Sequence, residues 1–205
     1  MKRSLQHNAA VSVGEKPRPG RPRSAECHDA ILTAALELVE EVGFAALTIE
    51  GIAARAGCGK TTIYRRWPNK ASVVMDAFLA STAPEISFRD TGSTRENFRR
   101  QLRAVVKVLA GPPGRIIATV IGGGQLDPEL GEAYRTRWQA GRRVESRQTL
   151  QQGISRGELR KDTNVDLVLD ALYGPLYYRL LVKHAPLTPS YADALVDLVF
   201  PGLEV

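Results

Sequence analysis

Between Thr48 and Lys70 the chain starts and stops two short helices with only three residues, Gly57 to Gly59, between them. Thr48 is a good N-cap, because its hydroxyl can accept from a first-turn amide, and Glu50 follows near the positive end of the helix dipole. Ile49, Ile52, Ala53 and Ala56 recur at i, i+3, i+4 and i+7, which gives the first helix one apolar face. Gly57 ends it, since glycine enters the left-handed region that other residues resist. A second helix is expected from about Lys60 to Trp67, where Pro68 stops it. Ile63 and Trp67 stand four apart and face a core. Lys60, Thr61, Thr62, Tyr64 and Arg65 are left facing outward, and all are hydrogen-bond donors.

Two helices, a tight turn and a donor-rich second helix make a helix-turn-helix candidate. Gly59-Lys60-Thr61 also resembles the end of a phosphate-binding P-loop, which would imply a nucleotide hydrolase. That motif wants a glycine five residues before Gly59, where the chain has Ala54, and it wants a preceding β-strand. The helical period of residues 49–56 argues against both.

Charge follows the same division. The 205-residue chain carries a formal net charge of +6, and the positive groups are unevenly spread. Lys2, Arg3, Lys16, Arg18, Arg21 and Arg23 face one acid, Glu15, whereas residues 26–47 hold five acids and neither Lys nor Arg. The basic excess resumes at Arg55, Lys60, Arg65, Arg66 and Lys70. Three prolines and a glycine within residues 16–23 forbid helix, so residues 1–23 read as a disordered basic arm, whose Arg18, Arg21 and Arg23 can lie along a minor groove. Cys27 and Cys58 make no disulfide framework, and the default is a reducing cytoplasm. His7, His28 and His184 are scattered, so no metal or other cofactor is expected. No signal peptide or membrane span is expected either.

The remaining pattern is helical throughout, which makes the chain all-α. Ser24 opens a first helix with Ile31, Leu32, Ala35, Leu38, Val39 and Val42 inward and Gly43 at its end. Asn69 caps another helix beginning at Lys70, and Pro84 with the polar run 89–94 reads as a linker. Later stripes are Phe98, Leu102, Val105, Val106 and Leu109, then Ile116, Ile117, Val120 and Ile121 up to a triple glycine. A long polar helix follows Asp127-Pro128, carrying Leu130, Tyr134 and Trp138 four apart, with arginines expected on a solvated face against its own acids. Val165 to Leu180, interrupted by Pro175, and residues 190–200 form two apolar helices that need covering. No nucleophile and base, paired carboxylates or metal cluster emerges, so catalysis is not expected.

Gly43-Phe44, Leu47-Thr48-Ile49, Ile52-Ala53, Ala56-Gly57, Lys60, Thr62-Ile63-Tyr64 and Trp67-Pro68-Asn69-Lys70 together resemble the N-terminal domain of the tetracycline-repressor (TetR) family. The resemblance covers residues 24 to about 80. It departs at Gly59, where the family often has a serine cap. It implies a three-helix DNA-binding domain over 24–70 and a helical ligand-binding and dimerisation domain over 71–205. The implied activity is transcriptional regulation, most simply a ligand-released repressor that binds a palindromic operator as a homodimer in the cytoplasm. A helical protein-interaction adaptor is the other alternative. Thr48, Lys60, Thr61, Thr62, Tyr64, Arg65 and Lys70, with Arg21 and Arg23, are the expected DNA contacts. A small-molecule effector would meet Phe98, Leu102, Ile117, Trp138, Tyr173 and Tyr177. The last two helices would form a four-helix dimer interface through Leu169, Leu172, Leu176, Leu180, Leu195 and Val199.

Overall fold

The computed structural model describes residues 23–205, with side chains from Ala25 onward, so Arg18, Arg21 and the Arg23 side chain lie outside the described residues. Helix α1, Arg23–Ala46, carries Glu26 in its first turn and buries Ile31, Leu32, Ala35 and Val39. Its regular course breaks at Gly43 (φ 77°), the residue expected to end it, and Val42, expected inward, is exposed just before the break. Then follow α2 (Ile49–Ala56), α3 (Lys60–Tyr64) and α4 (Lys70–Ile86). Helix α3 stops earlier than expected because the Ile63 carbonyl accepts from both Arg66 N and Trp67 N at 2.9 Å, which tightens the last turn.

The body consists of α5 (Thr94–Ala110), α6 (Pro112–Gly123), α7 (Pro128–Ala133), a π-helical turn over Tyr134–Gln139, α8 (Ala140–Ser155), α9 (Val165–Val182) and α10 (Pro189–Val199). Ser93, Asp127, Asn164 and Thr188 each accept from a first-turn amide, so these N-termini are capped as side-chain chemistry requires. The only bridge of strand type among the described residues is the isolated pair Leu159 and Glu204. One continuous apolar core runs from Ile31 in α1 to Phe200 beyond α10.

Two expectations about the chain's middle are corrected. Pro84 does not begin a linker: α4 continues through it to Ile86, whose side chain is buried, and the connection shortens to residues 87–93. Burial of Ile86 and Thr82 holds the last turn in helical form although proline lacks the amide to continue the bonding. The arginines after α7 are not spread over a solvated face. Arg135 pairs with Glu132 at 2.8 Å within its own turn, but Arg137 reaches Asp76 in α4, and Arg143 reaches Asp166 at 2.8 Å and Asp170 at 2.9 Å in α9. They tie helices together.

A comb of charges also clamps α10 to α5. Arg95 and Arg99 each donate to Asp197 at 2.7 Å, and Arg103 donates to Asp193 at 2.6 Å. Hydrogen bonds from Arg99 and then Arg95 hold the Asp197 carboxyl down at about 2. A folded-state value below the unfolded one means that the stabilisation is present above the unfolded carboxylate range, near pH 4, and is lost as pH falls toward about 2. Thermal unfolding followed by circular dichroism should therefore show a falling midpoint from about pH 5 downward. Asp197→Asn should melt lower at pH 7 and lose part of that acid dependence.

Candidate nucleic-acid interface

Helices α1, α2 and α4 build a platform for the short helix α3. Thr48 Oγ1 accepts from Gly51 N at 3.0 Å and retains its own hydrogen as a donor at the surface. Gly57 adopts the left-handed conformation (φ 62°, ψ 28°), and Cys58 N returns to Ala53 O at 3.0 Å, which closes α2. Gly59 caps α3 without a side-chain bond, as its lack of a side chain dictates. Arg55 grips Glu37 at 3.3 Å and Glu41 at 2.8 Å, so this cation fastens α2 to α1.

Ile63 and Trp67 are buried beneath α3, and the His28 ring stacks on Trp67 at 5.2 Å with 9° between the planes. This leaves an exposed row: Lys60, Thr61, Tyr64 at 54% exposure, and Arg65, with Thr62 half-buried at its edge. Lys60 Nζ lies 3.1 Å from Glu50, with both side chains more than half exposed. Such a pair contributes little and is readily exchanged for a phosphate. The structure thus brings Thr48, Lys60, Thr61, Tyr64 and Arg65 to the surface around one helix.

Lys70 is the exception. Its ammonium donates to Phe44 O at 3.0 Å, Ala45 O at 3.2 Å and Leu47 O at 2.8 Å, and it lies 4.8 Å from the Phe44 ring centroid. All three of its donors are used on carbonyls beyond the break in α1, where Phe44 O also accepts from Leu47 N at 3.3 Å. Expected as a phosphate contact, Lys70 instead locks the α1–α2 junction. The cysteines also differ from expectation. Cys27 in α1 and Cys58 in the α2–α3 turn are joined by a disulfide with their Cα atoms 6.3 Å apart, because α1 passes behind the turn. Their separation of 31 residues hides this proximity in the sequence.

The expected effector residues divide. Trp138, Tyr173 and Tyr177 line a cavity of about 70 Å³ in the body, together with Ile86, Gln101 and Arg142. Phe98, Leu102 and Ile117 do not; they are fully buried core, and Phe98 packs edge-on against Phe88 at 4.9 Å. The cavity wall is polar where sequence periodicity gives no sign of it. Tyr173 Oη donates to Gln101 Oε1 at 2.8 Å and lies 3.0 Å from Ser146 Oγ, and Trp138 Nε1 donates to Tyr177 Oη at 3.3 Å. Burial pushes the Tyr173 phenol well above its ordinary range, so it stays a neutral donor.

The dimer residues are also reassigned. Leu169, Leu172, Leu176, Leu180 and Leu195 are buried by the protomer's own helices, and Val199 is half-buried. They hold α9 and α10 on the body. The outward apolar groups of these helices are Leu167, Tyr178, Leu181 and Val182 on α9 and Leu198 on α10.

The nucleotide-hydrolase alternative fails here. A helix, α2, occupies the place of the required strand, and Gly59-Lys60-Thr61 opens a helix only five residues long. Two packed helices that present a third-helix-supported row of donors define a helix-turn-helix DNA-binding protein. Residues 31–76 match the family model for bacterial regulatory proteins of the tetR family, and residues 88–199 match that for a tetracyclin repressor-like C-terminal domain. The HTH-type transcriptional regulator YdeS of Bacillus subtilis is 40% identical over 185 residues, 90% of this chain and 93% of that protein. The DNA-binding transcriptional repressor TetR of Mycobacteroides abscessus is 29% identical over 191 residues, 89% of this chain and 97% of that one. The crystal structure of the TetR family transcription regulator SCO0332 superposes with a TM-score of 0.77 at 35% identity, covering 86% of this chain and 98% of its own. The chain belongs to the TetR family: it is a DNA-binding transcriptional regulator and not an enzyme. Neither the hydrolase nor the adaptor alternative finds support among these relatives.

The two lysines should separate cleanly. Lys70→Met removes hydrogen bonds from a cation to three carbonyls and should cost about 1–3 kcal/mol of stability, read by urea unfolding. Its DNA binding, measured where the domain is folded, should keep the salt dependence of the parent.

Proposed function

We propose that the chain is a homodimeric repressor that reads a palindromic operator with α3 and releases it when a small molecule enters the body cavity. The exposed donor row on α3 carries the reading. Lys60 and the Thr48 hydroxyl hold phosphates, Tyr64 meets a phosphate or sugar, and Thr61, Thr62 and Arg65 approach base edges, Arg65 with the bidentate geometry suited to guanine. Arg21 and Arg23 remain candidates for the adjoining minor groove. Residues 24–70 serve as the reading head and 71–205 as the body. A regulator of DNA works where the DNA is, and we place it in the cytoplasm.

One reading head has limited affinity, so two copies related by a two-fold axis fit half-sites roughly 34 Å apart. The face open to a second copy is the exposed apolar stripe of α9 and α10, with Leu167 at 65%, Tyr178 at 57% and Leu198 at 77% exposure. Apolar side chains this exposed on adjacent helices are what a partner surface would cover.

The effector route runs through the π-helical turn. Trp138 lines the cavity and packs edge-on against Phe78 of α4 at 4.6 Å, while its neighbour Arg137 donates to Asp76 of α4 at 2.7 Å. Asp76 also accepts from Trp67 Nε1 at 2.7 Å, directly behind α3. A ligand that displaces Trp138 therefore acts on the group that positions the reading helix. The release follows from its preference for one arrangement over the other.

Fluorescence anisotropy on duplex from upstream of the chain's own gene tests the reading, with affinity well above that for a scrambled duplex as the expected result. Equal affinity for the two would refute it. Lys60→Ala should lower the slope of log affinity against log salt by about one phosphate contact. Tyr178→Asp with Leu198→Asp should give a monomer in sedimentation and weaken palindrome binding at least tenfold, because each half-site is then bound alone. A compound that frees the parent from DNA should leave Arg137→Ala bound.

A further inference from the structure

The cysteine pair belongs neither to the donor row nor to the cavity, yet it sits within the reading head, beside the start of α3. Cys58 precedes Gly59, the N-cap that gives α3 no side-chain bond, and Cys27 lies on the helix behind it. Their Cα atoms, 6.3 Å apart, are within the range a disulfide spans, so the bond forms with both helices where the fold already holds them. On reduction the two sulfurs must part to non-bonded distance, and Ala56 O, 3.5 Å from Cys58 Sγ, and Cys27 O, at 3.7 Å, are carbonyl acceptors beside the freed thiol. Both cysteines are half-buried, and the glycines flanking Cys58 are without side chains to shield it. Within a reducing compartment a disulfide in such a place is a transient, oxidant-driven one.

The geometry points to Cys27 and Cys58 as a reversible clasp that hydroperoxides close across the reading head. One thiolate attacks a peroxide oxygen, breaking the O–O bond to give a sulfenic acid and, after protonation, water or an alcohol. The second thiolate then displaces the sulfenic oxygen as water. Two thiols and one hydroperoxide thus yield one disulfide, and a dithiol reductant reverses the change.

Closing the clasp ties the α2–α3 turn to α1 and removes freedom from the weakly capped start of α3. Binding DNA then carries less ordering cost, and no charge on the donor row changes. The closed form should therefore bind the same duplex about two- to fivefold more tightly with an unaltered salt slope. A cross-link closing a long loop also lowers the entropy of the unfolded chain, so the melting midpoint should rise by several degrees.

The test uses the full chain, reduced, freed of reductant and treated with an equivalent of hydrogen peroxide. Intact mass should fall by that of two hydrogens within a single chain and recover with dithiothreitol. The affinity and melting shifts should accompany that mass, and Cys27→Ser and Cys58→Ser should each bind like the reduced parent and show no shift. A mass gain of one or more oxygens, a bond between chains, or identical melting and affinity in the closed and reduced forms would each overturn the proposal. The melting comparison needs no DNA, so it decides on the clasp even if the operator reading fails.

Discussion

The Asp76 carboxylate holds two parts of the molecule in register. It accepts from Trp67 Nε1 at 2.7 Å, at the foot of the reading helix, and from Arg137 Nη1 at 2.7 and 2.8 Å, on the π-helical turn of the body. A partly buried carboxylate with three charge-assisted or polar contacts is a strong joint, because removing any one partner leaves the rest under-satisfied. Asn69 adds a second tie where its amide reaches Glu129 at 3.0 Å, just as its carbonyl oxygen caps α4 by accepting from Ser72 N at 2.9 Å. The head is thus fastened to the body at both ends of the segment that follows α3.

The distribution of cations separates structure from surface. Arg55, Arg95, Arg99, Arg103, Arg137 and Arg143 all reach carboxylates on other helices. Lys70 is taken by carbonyls. Around α3 stands the row of exposed donors from Lys60 to Arg65, in which Lys60 is weakly paired with Glu50. Net charge alone would have assigned many of these arginines to a nucleic-acid surface. The geometry removes them and leaves a compact footprint.

The body shows a similar economy in its polar groups. Around the cavity wall Tyr173 bonds Gln101 and Ser146, Gln101 in turn donates to Ile86 O, and Trp138 separately bonds Tyr177. Any ligand must replace those bonds or accept from them. On the π-helical turn between α7 and α8, Arg137 reaches Asp76 of α4, and Trp138 packs against Phe78 of α4 and donates to Tyr177 of α9.

Local chemistry carried much of this fold in the sequence itself. Thr48, Gly57, Asn69 and Asp127 act within a few residues of their own positions, so caps, turns and helix starts were legible, and with them the helix-turn-helix and the donor row from Lys60 to Arg65. Periodicity also marked Ile63, Trp67 and Phe98 as inward. It could not say which helix each inward residue meets. Leu172 and Leu176 therefore read as dimer contacts although their own protomer covers them, and Lys70 read as a phosphate contact although the end of α1 claims it. Cys27 and Cys58, the Asp76 joint and the polar cavity wall depend on residues far apart in the chain arriving at hydrogen-bond or covalent distance. Such meetings are decided by how the helices cross, and only the tertiary structure specifies that.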